Sequence, residues 1–140
     1  MKKYYLTPAS LPDWSDYFSQ IAVVEKNGVK VIYLAGQVGV DRDKNLVGNG
    51  EFRDQLEQAF RNLQTALESV EAIVSDIVKI NIYVVNYRPE HAEAIREVLQ
   101  QYFRAGQLPA MSLIGVQALA EERFLVEVDA EAVTNSDRSP

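Results

Sequence analysis

The amino-acid sequence predicts an α+β fold, a two-layer sandwich in which two helices cover one face of a mixed sheet. Three observations carry this expectation. An Asn27-Gly28 pair separates two β-rich runs. Two stretches, 52–70 and 92–103, repeat apolar residues every three or four positions. Strand-like runs stand between and after them, so the elements read β-β-α-β-α-β-β, an order that implies both helices on one side of the sheet.

Residues 20–26 (QIAVVEK) and 29–35 (VKVIYLA) form the hairpin, because Asn-Gly tolerates positive φ at both central turn positions. Gly36 ends the regular run of the second strand, and 41–50 (DRDKNLVGNG) is a turn-rich loop. The first helix carries Phe52, Leu56, Ala59, Phe60, Leu63, Ala66, Leu67 and Val70 as one apolar stripe. In 77–85 (IVKINIYVV), Val78, Ile80, Ile82 and Val84 alternate with a mixed face, the pattern of a sheet packed on one side. Pro89 suits the first turn of the second helix, whose stripe is Ala92, Ile95, Leu99, Tyr102 and Phe103. Gly106 and Pro109 stop it, and 111–118 and 124–133 supply the last two strands. The prolines at 8 and 12 make the first residues an extended lead-in. The sheet face away from the helices keeps Tyr83, Leu125 and apolar side chains of the hairpin, so an oligomer interface is expected there.

A length of 140 residues with 47% hydrophobic side chains fits one domain, taken as 1–133, with 134–140 read as a frayed polar tail. With no cysteine, disulfides, thiolate catalysis and cysteine-held metals are excluded. No apolar run follows Lys2 and Lys3 and none is long enough to span a bilayer, so a soluble cytoplasmic protein is expected. Twenty acidic against fourteen basic residues give a net charge of −6, and the basic residues are scattered; nucleic acid is disfavoured as a partner.

Several short strings, in order and spacing, resemble the Rid (YjgF/endoribonuclease L-PSP) family. They are Phe18-Ser19-Gln20, Ala35-Gly36-Gln37, QLEQAFRNLQTAL at 55–67, Asp76-Ile77-Val78-Lys79, Pro109-Ala110-x-Ser112 and Val126-Glu127-Val128-Asp129-Ala130. The resemblance implies a chorismate-mutase-like fold, a homotrimer with a small-molecule pocket at each subunit interface, and, in active members, hydrolysis of enamines and imines to keto acids and ammonia. It implies no cofactor.

That chemistry asks for a cation on the substrate carboxylate and a group to position and deprotonate water. Carried over by position, Glu127 is the retained pocket acid, with Gly36 and Ser112 beside it. Met111 stands where the family has its carboxylate-binding arginine. Ala35 replaces a serine, Phe18 replaces a tyrosine and keeps only the ring, and Arg96 takes an asparagine's place. Losing a desolvated charged hydrogen bond costs about a hundredfold or more in binding, which a thioether does not restore. Arg96 is a candidate surrogate cation, with a solvent-facing helix arginine as the simpler reading.

Each candidate also has a plainer reading. Glu127, Asp129 and Glu131 share a strand face and read equally as a solvated acidic stripe. Met111 reads as adaptable core, and His91 as a surface residue of a helix first turn, with no metal-ligand partners in a recognised spacing. Trp14 and Tyr17 read as anchors for the lead-in or as a lid, and Gly48-x-Gly50 as loop glycines without the companions of a phosphate cradle. Three functions follow: an imine or enamine hydrolase of altered specificity, a catalytically silent trimer binding a metabolite or protein, and a ribonuclease. A single histidine and the acidic charge count against the last.

Overall fold

The computed structural model describes residues 1–137. The elements are β1 (Lys2–Leu6), β2 (Ile21–Lys26), β3 (Val29–Val38), α1 (Phe52–Glu68), β4 (Ile77–Val85), α2 (Pro89–Tyr102), β5 (Ala110–Val116) and β6 (Val126–Asn135), with a single 3-10 turn at Val74–Asp76. They form one six-stranded sheet in the order β1-β2-β3-β6-β4-β5. Only β4 and β5 pair in parallel; the other neighbours are antiparallel.

The expected two-layer α+β arrangement is present. Asn27 and Gly28 take φ of 52° and 79°, the double positive φ that lets a two-residue turn match strand twist. Leu56, Phe60, Leu63 and Leu67 of α1 and Ile95 and Val98 of α2 are buried in one core with Ile21, Val23, Ile32, Leu34, Ile80, Ile82, Val84, Val126 and Val128 of the sheet. Each such side chain contributes about 1.5–3 kcal/mol on leaving water.

Two expectations about the ends of the chain are corrected. The lead-in opens with a sixth strand, since Lys2–Leu6 pairs with β2 in the register Tyr4↔Val23. Two lysines and a short run disguise it, as is usual for a strand at a sheet edge. The polar tail does not start at Thr134: Thr134 pairs with Lys30 and Asn135 with Val29, and the Ser136 N–H donates to the Gly28 carbonyl at 2.9 Å. The hairpin's own length draws these polar residues into the sheet. Of the expected tail, Arg138 to Pro140 lie outside the described residues.

Parity fixes which side chains meet. Residues opposite the buried Ile80, Ile82 and Val84 face the helices, and those opposite Lys79, Asn81 and Tyr83 face away. The outer face therefore carries Tyr33, Ile114 and Val133, all substantially exposed, around a polar centre. In that centre Asn81 Nδ2 and Tyr83 Oη donate to the two Asp129 carboxylate oxygens at 2.9 and 3.0 Å.

Candidate functional site

At the far end of β3 the register with β6 slips between Leu34 and Gln37, so that Ala35 and Gly36 bulge. Two buried glutamines hold this bulge against the lead-in. Gln37 Nε2 donates to Gln20 Oε1 at 2.7 Å and to the Ala35 carbonyl at 3.1 Å, and Gln20 Nε2 donates to the Pro12 carbonyl at 2.9 Å. The glutamines of the strings Phe18-Ser19-Gln20 and Ala35-Gly36-Gln37 are thus scaffolding. They bring residues 14–18 over the end of the sheet.

The bulge leaves room for an acid. A Cβ on Gly36 would stand 2.5 Å from Glu127 Oε2, so the Glu127 carboxylate lies where any larger residue would put its side chain. Around it opens a cleft of about 530 Å³, lined by Trp14, Tyr17, Phe18, Gly36, Val38, Ala120, Glu121, Phe124 and Glu127. The far wall is fixed from α1: the Gln55 side chain, fully buried, donates to the Gly50 and Arg123 carbonyls at 3.0 Å and accepts from the Leu125 N–H at 2.9 Å. Those three bonds set the loop that delivers Glu121 and Phe124.

Among the described residues Glu127 has no hydrogen-bond donor and no ion-pair partner. Burial pushes its carboxyl above the usual glutamate range, and the neighbouring Asp129 charge adds to the shift. An acid so placed holds its proton more tightly than an exposed one and is suited to exchanging it with a bound water or ligand. Glu121 differs, because Arg123 Nε lies 2.9 Å from its Oε1. Among the described residues no lysine or arginine lines the cleft. Lys44 and Arg123 stand beside it already engaged: Lys44 Nζ lies 4.3 Å from the Trp14 ring centroid, and Arg123 Nη2 donates to the Lys44 carbonyl at 2.9 Å.

Of the residues named from sequence, Phe18, Gly36 and Glu127 meet in this cleft. Ala35 sits on the bulge next to it without lining it. Met111 and Arg96 come together elsewhere, in an apolar groove between α2 and β5 with Ala92, Ile95, Leu99, Leu108 and Leu113. Met111 is paired with Ile80 on the helix side of the sheet, and Glu127 with Tyr83 on the other, so one chain does not bring residues 111 and 127 together. Arg96 is an exposed helix arginine bound to Glu93. Ser112 faces outward, its Oγ accepting from Lys79 Nζ at 3.0 Å.

Trp14 and Tyr17 stand among the residues that line the cleft. Glu121 and Phe124 went unremarked as site residues because no local pattern links a loop before β6 to the lead-in. His91 caps α2: its Nδ1 accepts from the Arg88 N–H at 2.9 Å, and its ring centroid lies 4.5 Å from that of Phe52. Among the described residues no group of three metal-ligating side chains converges, and no helix is long and apolar enough to cross a membrane.

Comparison with known proteins agrees with this architecture. A 2-iminobutanoate/2-iminopropanoate deaminase of Dermatophagoides farinae is 34% identical over 102 residues, covering 73% of this chain and 77% of the relative. The human protein of the same name is 23% identical over 128 residues, 91% of this chain and 88% of its own. A crystal structure of a Rid-family protein of unknown function from Yersinia pestis superposes with a TM-score of 0.79 at 25% identity, covering 94% of this chain and 98% of that one. The endoribonuclease L-PSP family model matches residues 10–134, from the lead-in that carries the aromatic wall to the last strand that carries Glu127, and the chain belongs to that family, also called Rid or YjgF.

Proposed function

We propose that this protein binds a small compound with a carbon–nitrogen double bond in the Trp14–Glu127 cleft and hydrolyses it, with Glu127 handling the water. The observation that supports this most is the unpartnered, half-buried Glu127 carboxylate set against Gly36 among aromatic walls. Ionised, it takes a proton from water as the oxygen attacks the imine carbon. It then returns that proton to the nitrogen to give a carbinolamine, and relays the hydroxyl proton to the same nitrogen as the C–N bond breaks, so that a carbonyl compound and ammonia leave. The names of the deaminase relatives point to the same bond.

Specificity differs from that of an amino-acid-like imine. Met111 stands where the resemblance calls for an arginine, and no cation lines the cleft, so a substrate carboxylate finds no fork to bind. The protein acts as a homotrimer in this reading. The exposed Tyr33, Ile114 and Val133 of the outer sheet face support self-association. Met111 lies on β5, an edge strand free to meet the cleft of a second copy.

The test generates imines in place, 2-iminopropanoate from alanine with an amino-acid oxidase and a carboxylate-free imine from benzylamine with an amine oxidase. Decay of each is followed with and without the protein. The carboxylate-free imine should be hydrolysed faster than 2-iminopropanoate, and Glu127→Gln should lower the rate by about a hundredfold or more. Acceleration untouched by Glu127→Gln would refute the role of the acid. The absence of a cation from the cleft favours one other reading, a silent ligand-binding member, which this experiment identifies by binding without acceleration.

A further inference from the structure

We propose that the cleft selects a planar cationic nitrogen group, such as an iminium or amidinium on an aromatic-sized body, over neutral or anionic ligands. The inference names the ligand class of the site proposed above and rests on that cleft being the ligand site. Four aromatic side chains, Trp14, Tyr17, Phe18 and Phe124, line it together with two carboxylates and no cation. Glu121 is matched by Arg123 at 2.9 Å, so the uncompensated charge facing the cavity is that of Glu127. Aromatic rings attract cations through their quadrupole, and a carboxylate accepts charge-assisted hydrogen bonds from an N–H of such a group. Two of these rings already stand near cations of the chain, Trp14 with the Lys44 Nζ at 4.3 Å and Phe124 with the Arg123 guanidinium carbon at 5.1 Å from the ring centroids, so rings of this wall accept positive charge. An anion would instead be desolvated beside Glu127. A volume of about 530 Å³ accommodates a ring with one planar substituent.

Benzamidine, benzamide and benzoate carry the same ring with charges of about plus one, zero and minus one at neutral pH. Trp14 is the one tryptophan in the chain, so its fluorescence reports occupancy of the cleft. Titration of the intact protein should show benzamidine binding about tenfold or more tightly than benzamide, and benzoate weakest. Glu127→Gln should abolish the advantage of benzamidine while leaving the thermal melt cooperative; Phe18→Leu, a second variant, should weaken benzamidine more than benzamide. Equal binding of benzamidine and benzamide, tighter binding of benzoate, or no binding of any probe up to millimolar concentration would each overturn the inference. Benzoate binding lost in Arg96→Ala would overturn it too, by exposing a cation delivered from another copy. Charge selectivity without imine turnover would remove only the hydrolase reading, whereas turnover without charge selectivity would remove only this one.

Discussion

Replacing Gly36 by alanine separates the acid's position from the stability of the fold. The new methyl carbon would lie 2.5 Å from Glu127 Oε2, 2.6 Å from Cδ and 2.8 Å from Cγ. Ordinary van der Waals separation requires the carboxylate to retreat by about 1 Å. The obstacle is the flexible end of a side chain, and no positive φ is demanded of residue 36, so the backbone can stay in place at a cost of about 1 kcal/mol or less. A 1 Å displacement of a reacting group costs on the order of a hundredfold in rate. Gly36→Ala should therefore keep its melting temperature within about 3 °C of the parent while imine hydrolysis falls about a hundredfold. Gly39→Ala is the internal control. Its Cβ would strike the Gln55 Cα at 2.4 Å, a backbone atom of α1 that cannot swing aside. That variant should lose about 1–3 kcal/mol, readable as a fall of several degrees in the melt. Full activity in Gly36→Ala, or a melt lowered as far as that of Gly39→Ala, would refute the claim that Gly36 exists to seat Glu127.

Three further outcomes are expected. Gln55→Ala strips three part-buried hydrogen bonds of a fully buried side chain and should cost about 2–4 kcal/mol in urea unfolding; a loss under about 0.5 kcal/mol would mean that the 123–125 loop is held otherwise. Because the folded carboxyl of Glu127 is raised above 4.5, its contribution to stability is best below that value and falls as pH rises toward the folded pKa. Glu127→Gln should therefore gain stability relative to the parent above that window and not below it, checked by melts across pH; a gain that grows on acidification would reverse the sign. Met111→Arg should improve handling of 2-iminopropanoate by about tenfold or more if a second copy presents residue 111 to the cleft. No change, with trimer assembly verified by light scattering, would mean that β5 does not reach it.

Much of the fold was legible because local chemistry decided it. Asn27-Gly28 has few backbone alternatives, and the stripe of α1 agrees closely with its buried residues; of the α2 stripe only Ile95 and Phe103 are buried, while the fully buried Val98 lies outside it. The β1 strand was not legible, since lysines at an edge look like a solvated lead-in, and Thr134 and Asn135 join β6 because β3 extends far enough to pair them. At the site, Glu127, Gly36 and Phe18 could be carried over from a family pattern, and the structure brings these three together. Met111 could not be placed in the same way. Whether residues 111 and 127 share a sheet face depends on the registers of β4 with both neighbours, and a one-residue difference reverses it. Trp14 and Tyr17 looked like anchors because aromatic residues near a terminus usually are. Only the Gln20–Gln37 pair, buried and remote in sequence, turns them over the cleft.

Whether Glu127 is an uncompensated acid inside a ligand-binding cleft is reported directly by its own titration. With glutamate carboxyl carbons labelled and the Glu127 resonance assigned by Glu127→Gln, NMR titration should give a midpoint above the ordinary 4.5. Saturating benzamidine should displace that midpoint downward, as a cation beside a carboxylate must. A midpoint at or below 4.5 that does not respond to the ligand would contradict the account.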